Sequence, residues 1–238
     1  MKSVSKNSDY SAKESDASNT DSQTPNHAQL PRQLSMVRFI GDLPNICSLT
    51  GLLSALLGVY SALLGNVYFA VVGMLWAVLF DWLDGMIARS MSGRTDAHRA
   101  FGAQLDSMID IVSFGVLPAI ILLSYTDYNP WFFPGAFIIV ASCAVRLSYF
   151  NIYGLTGGKT YTGLAVDNNG LILAFAFLFE GIFNSTTFSI GLYILFLLLA
   201  TLNLSSIQIR KFSKNWIYII AVYVIALSIY FSMQHYSG

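Results

Sequence analysis

Seven long apolar stretches, separated by short polar breaks, dominate this sequence. A helix needs about 20 predominantly apolar residues to cross the hydrocarbon core of a bilayer, and all seven stretches meet or nearly meet that length. They cover residues 46–64, 67–88, 102–125, 130–152, 165–183, 186–204 and 215–233. The fifth is the weakest, because Asn168 and Asn169 lie near its start and Glu180 near its end. The pattern predicts an all-α polytopic membrane protein with six core transmembrane helices and one additional C-terminal helix.

The composition supports this fold class. Only 11% of the residues are charged, whereas a typical soluble domain has about 25%. The formal net charge is zero, so the chain has no electrostatic field that would attract nucleic acid. Cys47 and Cys143 both lie in apolar stretches. We interpret them as small buried side chains that form neither a disulfide framework nor a zinc site.

The chain divides into four predicted regions. Residues 1–29 are polar and have almost nothing to bury, so we expect them to be disordered. Residues 30–43 mix apolar side chains with arginine, which predicts either a short amphipathic helix at the membrane interface or a linker. Residues 44–214 form the predicted membrane domain, and residues 215–238 carry the additional C-terminal transmembrane helix.

The basic residues predict the orientation. All thirteen fall at one face of the predicted bundle: Lys2, Lys6, Lys13, Arg32, Arg38, Arg89, Arg94, Arg99, Arg146, Lys159, Arg210, Lys211 and Lys214. The positive-inside rule makes that face cytoplasmic. We therefore expect the N-terminus inside and the C-terminus outside. A bacterial cytoplasmic membrane is the favoured location, with the endoplasmic reticulum as the alternative.

Four aspartates lie inside the second and third predicted spans, where acidic groups are costly and tend to be functional. Spacings of three and four residues place Asp81 with Asp84, and Asp106 with Asp110, on one face of each helix. At 1.5 Å per residue, Asp84 and Asp81 lie about 7 and 12 Å inward from Arg89, and the second pair lies at similar depths. Four carboxylates at one level need cations. Their oxygen ligands favour Mg²⁺ or Mn²⁺ over zinc.

Small residues accompany these carboxylates. Gly85, Ala88 and Gly102 clear a strip on which a flat ligand could lie, and Arg89 at the mouth could bind phosphate oxygens. The combination suits a diphosphate substrate with an apolar tail. Other interpretations stay open, because small residues often serve only helix packing. Membrane aspartates can also form the relay of an ion-coupled transporter.

The segment reads Asp-x2-Asp-Gly-x2-Ala-Arg, then a spacer, then Gly-x3-Asp-x3-Asp. This pattern resembles the signature of the CDP-alcohol phosphatidyltransferase family at every fixed position. The matching residues are Asp81, Asp84, Gly85, Ala88, Arg89, Gly102, Asp106 and Asp110. The spacer, residues 90–101, is longer than is usual in the family. Because it is a polar loop, we expect it to alter the mouth of the site more than the metal cage.

The resemblance implies a metal-dependent transfer reaction. The four aspartates would bind two divalent cations beside the diphosphate of a CDP-linked lipid. The cytidine nucleotide would lie against Gly85, Ala88, Arg89 and Gly102. Asp110 would also take the proton of the acceptor hydroxyl, which attacks the β-phosphorus and releases CMP. Asn45, after Pro44, would either contribute to nucleotide binding or cap a helix. The resemblance also implies a homodimer.

Two further stretches resemble the phosphatidylserine synthase branch of that family: LDSMIDIVSFGVLPA (105–119) and RLSYFNIYG (146–154). The branch implies CDP-diacylglycerol and L-serine as substrates. Candidate acceptor-binding residues are Arg146, Asn151 and Asp167, since arginine suits a carboxylate and an acid suits an ammonium group. Arg146 could equally extend to the membrane interface. TGLAVDNNG (162–170) departs from the branch, with Ala165 in place of proline.

The acceptor is not settled by these residues. Glycerol 3-phosphate, inositol or its phosphate, and choline would keep the same chemistry. A phosphorylated acceptor would need several basic groups around the pocket, and Arg146 alone in the fourth span favours an unphosphorylated one. An ion-coupled transporter is the alternative from a different class, but it leaves Gly85, Ala88 and Arg89 unexplained.

Overall fold

A computed structural model describes residues 35–154, 160–210 and 216–237. The predicted tail 1–29 and the basic residues Lys159, Lys211 and Lys214 lie outside the described residues. The helices are α1 (Met36–Ile40), α2 (Leu43–Leu63), α3 (Val67–Ser90), α4 (Asp96–Ile111), α5 (Leu117–Tyr125), α6 (Phe133–Tyr153), α7 (Asp167–Phe177), α8 (Ser185–Asn203) and α9 (Trp216–Ser237). Two short strands, β1 (Thr160–Thr162) and β2 (Gln208–Arg210), pair antiparallel with Tyr161 opposite Ile209.

Six helical stretches in the described residues are long and apolar enough to cross a membrane. They are Leu43–Leu63, Val67–Ser90, Asp96–Tyr125, Pro130–Tyr153, Ser185–Asn203 and Trp216–His235. They confirm six of the seven predicted spans and make the chain an integral multi-pass membrane protein. The third span combines α4 and α5, which are joined by a π-helical turn over Val112–Val116.

The fifth predicted span forms a shorter helix than the others. α7 has 11 residues and is followed by a 3₁₀ turn at Glu180–Ile182. At its start, Asp167 accepts a hydrogen bond of 2.8 Å from Trp82 in the second half of α3. Beyond its end, Glu180 accepts bonds of 2.8 and 3.0 Å from Tyr68 and Tyr125 at the opposite level of the bundle. The segment therefore connects the two levels, although its α-helical part is short.

The ends of the chain agree in part with the predicted regions. α1 has five residues and lies within the predicted interfacial segment 30–43. α9 corresponds to the predicted C-terminal span, and its Phe231 ring lies 6.0 Å from that of Tyr68 in α3. Both cysteines are free of disulfides: Cys143 is buried and Cys47 is half-buried.

Small residues let α2 and α3 approach closely. Gly51, Ala55, Gly58 and Ala62 recur every three or four residues of α2, and all four are buried. A Cβ atom on Gly73 of α3 would lie only 2.7 Å from the Ser54 carbonyl oxygen. Such small-residue contacts are typical of membrane helix pairs. The close approach also brings the first turns of α2 alongside the last turns of α3, where the aspartates lie.

Candidate active site

Three of the four predicted aspartates converge at one point. Carboxylate oxygens of Asp81, Asp84 and Asp106 all lie within 4.8 Å of one another. They come from the last turns of α3 and from the facing turns of α4. Asp110 lies outside this group of three but is buried and lines the same cavity of about 350 Å³. The convergence of three carboxylates agrees with the helical spacing, whereas the predicted fourth, Asp110, shares the cavity without joining the group.

The donor set of this cluster fits a hard divalent cation. In the described part of the chain, neither histidine nor cysteine lines the cavity, and carboxylate oxygens are the ligands that Mg²⁺ and Mn²⁺ favour. Ser48 of α2 donates a hydrogen bond to Asp84, and its hydroxyl also lies 3.0 Å from the Pro44 carbonyl oxygen. Ser48 is a site residue that sequence reasoning missed. The acidic cluster could hold a metal ion.

The predicted nucleotide residues fall into two groups. Gly85 and Arg89 line the cavity beside the carboxylates, whereas Ala88, Asn45 and Gly102 are not among its lining residues. A Cβ atom on Gly85 would lie 3.2 Å from Arg89 Nη1. The Arg89 guanidinium group therefore lies over Gly85. Because Gly85 has no side chain, the guanidinium group can come this close to the helix beside the cavity.

Asn45 and Gly102 face each other across α2 and α4. A Cβ atom on Gly102 would lie 3.1 Å from Asn45 Oδ1 and 3.0 Å from Arg94 Nη2. Asn45 is buried, and its side chain donates a 2.8 Å hydrogen bond to the Phe39 carbonyl oxygen. Asn45 is not the N-cap of α2, which is Asp42, but its side chain bonds to a carbonyl oxygen in the last turn of α1.

The long spacer between Arg89 and Gly102 is fixed to the start of α2. Arg94 in this spacer forms a 2.7 Å ion pair with Asp42, and both side chains are almost fully buried. The Phe101 ring stacks on Phe39 of α1 with the centroids 4.6 Å apart. The spacer is thus packed against α1 and the start of α2, and none of residues 90–101 lines the cavity.

The three predicted acceptor residues line the same cavity as the carboxylates. Asp167 accepts the Trp82 indole N–H, and Asn151 accepts the Ser107 hydroxyl at 3.1 Å. Trp82 and Ser107 also line the cavity, and sequence reasoning missed both, although each is adjacent to a predicted metal ligand.

Arg146 is held inside the bundle. It is only 6% exposed, its Nε donates to the Leu164 carbonyl oxygen at 3.1 Å, and its guanidinium carbon lies 5.2 Å from the centre of the Phe150 ring. The alternative that Arg146 extends to the membrane interface is therefore wrong. Its charge faces the cavity that Asp167 also lines.

Comparison with known proteins shows which family this chain resembles. The family model for CDP-alcohol phosphatidyltransferase matches residues 41–227. The archaetidylserine synthase of Methanothermobacter thermautotrophicus is 41% identical over 126 residues, which are 52% of this chain and 52% of that protein. The CDP-diacylglycerol–serine O-phosphatidyltransferase of Methanocaldococcus jannaschii is 34% identical over 73% of this chain and 75% of its own. The Bacillus subtilis protein with the same activity in its name is 29% identical over 55% of this chain and 72% of its own. The chain belongs to the CDP-alcohol phosphatidyltransferase family.

Proposed function

We propose that this protein transfers a phosphatidyl group from CDP-diacylglycerol to the hydroxyl of L-serine, giving phosphatidylserine and CMP in phospholipid biosynthesis. The observation that carries the proposal is the convergence of Asp81, Asp84 and Asp106 in a cavity that Asp110 and Arg146 also line. The relatives support the acceptor, because the names of all three contain serine.

The reaction requires one new bond and one proton transfer. The serine oxygen forms a bond to the β-phosphorus, while the bond from that phosphorus to the oxygen of CMP breaks and CMP leaves with the electron pair. We assign the proton of the serine hydroxyl to the Asp110 carboxylate. A positioned general base of this kind typically contributes about 10²–10⁴-fold to the rate.

Asp81, Asp84, Asp106 and Asp110 are the residues that would hold two divalent cations, either Mg²⁺ or Mn²⁺. Bound there, the cations would supply positive charge for the diphosphate oxygens and for the leaving group. Arg89 extends this electrostatic role to the mouth, where its guanidinium group can donate to phosphate oxygens. We assign the cytidine nucleotide to Gly85 and Arg89, which line the cavity, and, as the family resemblance implies, to Ala88, Gly102 and Asn45, which do not.

The charges of the acceptor side match a zwitterion. Arg146 suits the serine carboxylate, Asp167 suits its ammonium group, and Asn151 lies on the same wall. A phosphorylated acceptor such as glycerol 3-phosphate or inositol phosphate would meet the negative charge of Asp167. Choline and inositol have no carboxylate for Arg146. These contacts favour serine over the other acceptors.

The proposal also covers the membrane in which the protein lies and its oligomeric state. We place the active site at the cytoplasmic side of a bacterial cytoplasmic membrane, because the basic residues cluster at that face. We also propose a homodimer, as the family resemblance implies.

An ion-coupled transporter is the less favoured function, because the acceptor side and Arg89 would then have no role.

A panel of acceptors tests the function directly. Purified protein is incubated with CDP-diacylglycerol, Mn²⁺ and one of serine, glycerol 3-phosphate, inositol or choline, and CMP release is measured. Serine is expected to give the fastest release. A parallel series with the corresponding CDP-archaetidyl donor distinguishes the lipid. Equal release with every acceptor, or with none, would contradict the serine assignment.

Asp167→Asn is expected to raise the KM for serine by about 10- to 100-fold, because a hydrogen bond to a charged group contributes roughly 1.5–3 kcal/mol. The asparagine oxygen can still accept the Trp82 N–H, so the pocket keeps its shape. The KM for CDP-diacylglycerol should not change. Glu180→Gln is the matched control, since this carboxylate lies at the opposite level of the bundle. An unchanged KM for serine in Asp167→Asn would refute the role of this residue.

A further inference from the structure

Ser113 lies on the same helical face as two of the cluster aspartates. Asp106, Asp110 and Ser113 follow one another at spacings of four and three residues, which align side chains along a helix. Ser113 belongs to the π-helical turn Val112–Val116. It lines a narrow pocket that is also lined by all four aspartates and by Ser48. π-helical turns occur frequently at functional sites.

The Ser113 hydroxyl is buried, and the part of the chain that the structure describes offers it no partner. The residue is 1% exposed, and its Oγ atom has no hydrogen-bond partner among the described residues. Buried polar groups in proteins are nearly always hydrogen-bonded. The Ser113 hydroxyl is therefore an available donor in the pocket that the four aspartates also line.

Other serines of the spanning helices show what is unusual here. Ser54, Ser61 and Ser189 each donate to the carbonyl oxygen four residues earlier, at 2.8–3.1 Å. This is the usual way in which a helix satisfies a buried hydroxyl. For Ser113 that carbonyl belongs to Ile109. It accepts the backbone N–H of Val112, and among the described residues the Ser113 hydroxyl makes no bond to it. The irregular turn thus leaves the hydroxyl available to the cluster.

Ser48 provides a precedent within the same pocket. Its hydroxyl donates to Asp84, so one carboxylate of the cluster is already oriented by a serine from a neighbouring helix. Ser113 lies three residues after Asp110 and lines the same pocket, without a hydrogen bond to it among the described contacts. Of the four aspartates, the other three have oxygens within 4.8 Å of one another, and Asp110 lies outside that group.

We propose that Ser113 is a positioning residue that donates a hydrogen bond to the Asp110 carboxylate and holds it in the orientation that binds a divalent cation. This inference rests on the metal-binding role in the proposed function. It adds a second hydroxyl to the carboxylate cage. A residue next to a metal ligand typically changes metal affinity by about 10- to 100-fold when it is mutated.

Mn²⁺ binding to the purified full-length protein, followed by electron paramagnetic resonance, tests this role without CDP-lipid or serine. Ser113→Ala is expected to weaken Mn²⁺ affinity by at least about tenfold. Ser113→Thr keeps the hydroxyl and should keep the affinity. The apparent Tm of each variant is measured as well, so that a loss of Mn²⁺ affinity is not confused with a loss of folding.

Ser228→Ala is the matched control. Ser228 in α9 also has a buried hydroxyl without a partner among the described residues, but it does not line the aspartate pocket. Its replacement should leave Mn²⁺ affinity unchanged. Unchanged affinity in Ser113→Ala, an equal loss in Ser228→Ala, or a Ser113→Thr protein of normal Tm that binds as weakly as Ser113→Ala would overturn the proposal.

The proposed function can fail independently. If Ser113→Ala weakens Mn²⁺ binding while the wild-type protein releases no CMP with any acceptor, the role of Ser113 is supported and the transferase activity is contradicted. If the wild-type protein binds no Mn²⁺, the carboxylate cage and the role of Ser113 are both contradicted.

Discussion

Asp110→Asn is expected to lower CMP release by at least about 100-fold, which is the contribution of a typical general base. The amide cannot take the proton of the serine hydroxyl. Asp81, Asp84 and Asp106 lie within 4.8 Å of one another without Asp110 in their group. We therefore expect the variant to retain most of its affinity for CDP-diacylglycerol, measured by equilibrium binding.

The control for this experiment comes from the same helix. Asp96 in the first turn of α4 has a fully exposed carboxylate, and Asp96→Asn should release CMP at the wild-type rate. Wild-type turnover in Asp110→Asn would refute the assignment of the base. A loss of CDP-lipid binding as large as the loss of turnover would show that Asp110 acts only as a ligand.

Asp81→Asn is expected to cause a larger loss, of at least about 1000-fold in CMP release, because metal ions contribute several kcal/mol to charge stabilisation in the transition state. Asp81 lies in the group of three convergent carboxylates. Its replacement should therefore also remove Mn²⁺ binding in paramagnetic resonance titrations. EDTA should silence the wild-type protein in the same way, and added Mn²⁺ should restore its activity.

Asp127→Asn is the control for the loss of CMP release in Asp81→Asn. Asp127 lies in the exposed turn after α5, with a positive φ of 51° that asparagine also tolerates. Its replacement removes one acidic charge far from the cavity and should change neither Mn²⁺ affinity nor turnover. Full CMP release after chelation would be incompatible with a metal-dependent reaction.

The carboxylate cluster could be predicted from the sequence because its geometry is local. Helical periodicity places Asp81 with Asp84 on one face, and the short connection to α4 brings Asp106 to the same depth. Most of the membrane spans could also be predicted, because length and hydropathy are local properties of the sequence. The fifth was harder, because Asn168, Asn169 and Glu180 occupy its ends and only its middle is continuously apolar.

The contacts that complete the site could not be predicted, because they join distant segments. Ser48 and Asp84 are 36 residues apart, and Trp82 and Asp167 are 85 residues apart. Such pairs depend on how the helices pack. The charge of Arg146 did not predict its position, because an arginine near the end of a span can either extend to the membrane interface or lie buried in a cavity. The π-helical turn that frees the Ser113 hydroxyl has no recognisable pattern in the residues that form it.

Anomalous diffraction from crystals grown with Mn²⁺ and CDP-diacylglycerol would locate the metal ions among the carboxylates. We expect two Mn²⁺ peaks enclosed by the carboxylates of Asp81, Asp84, Asp106 and Asp110, with the diphosphate beside them. A map without Mn²⁺ among these side chains, or with their oxygens turned away from the bound diphosphate, would contradict this expectation.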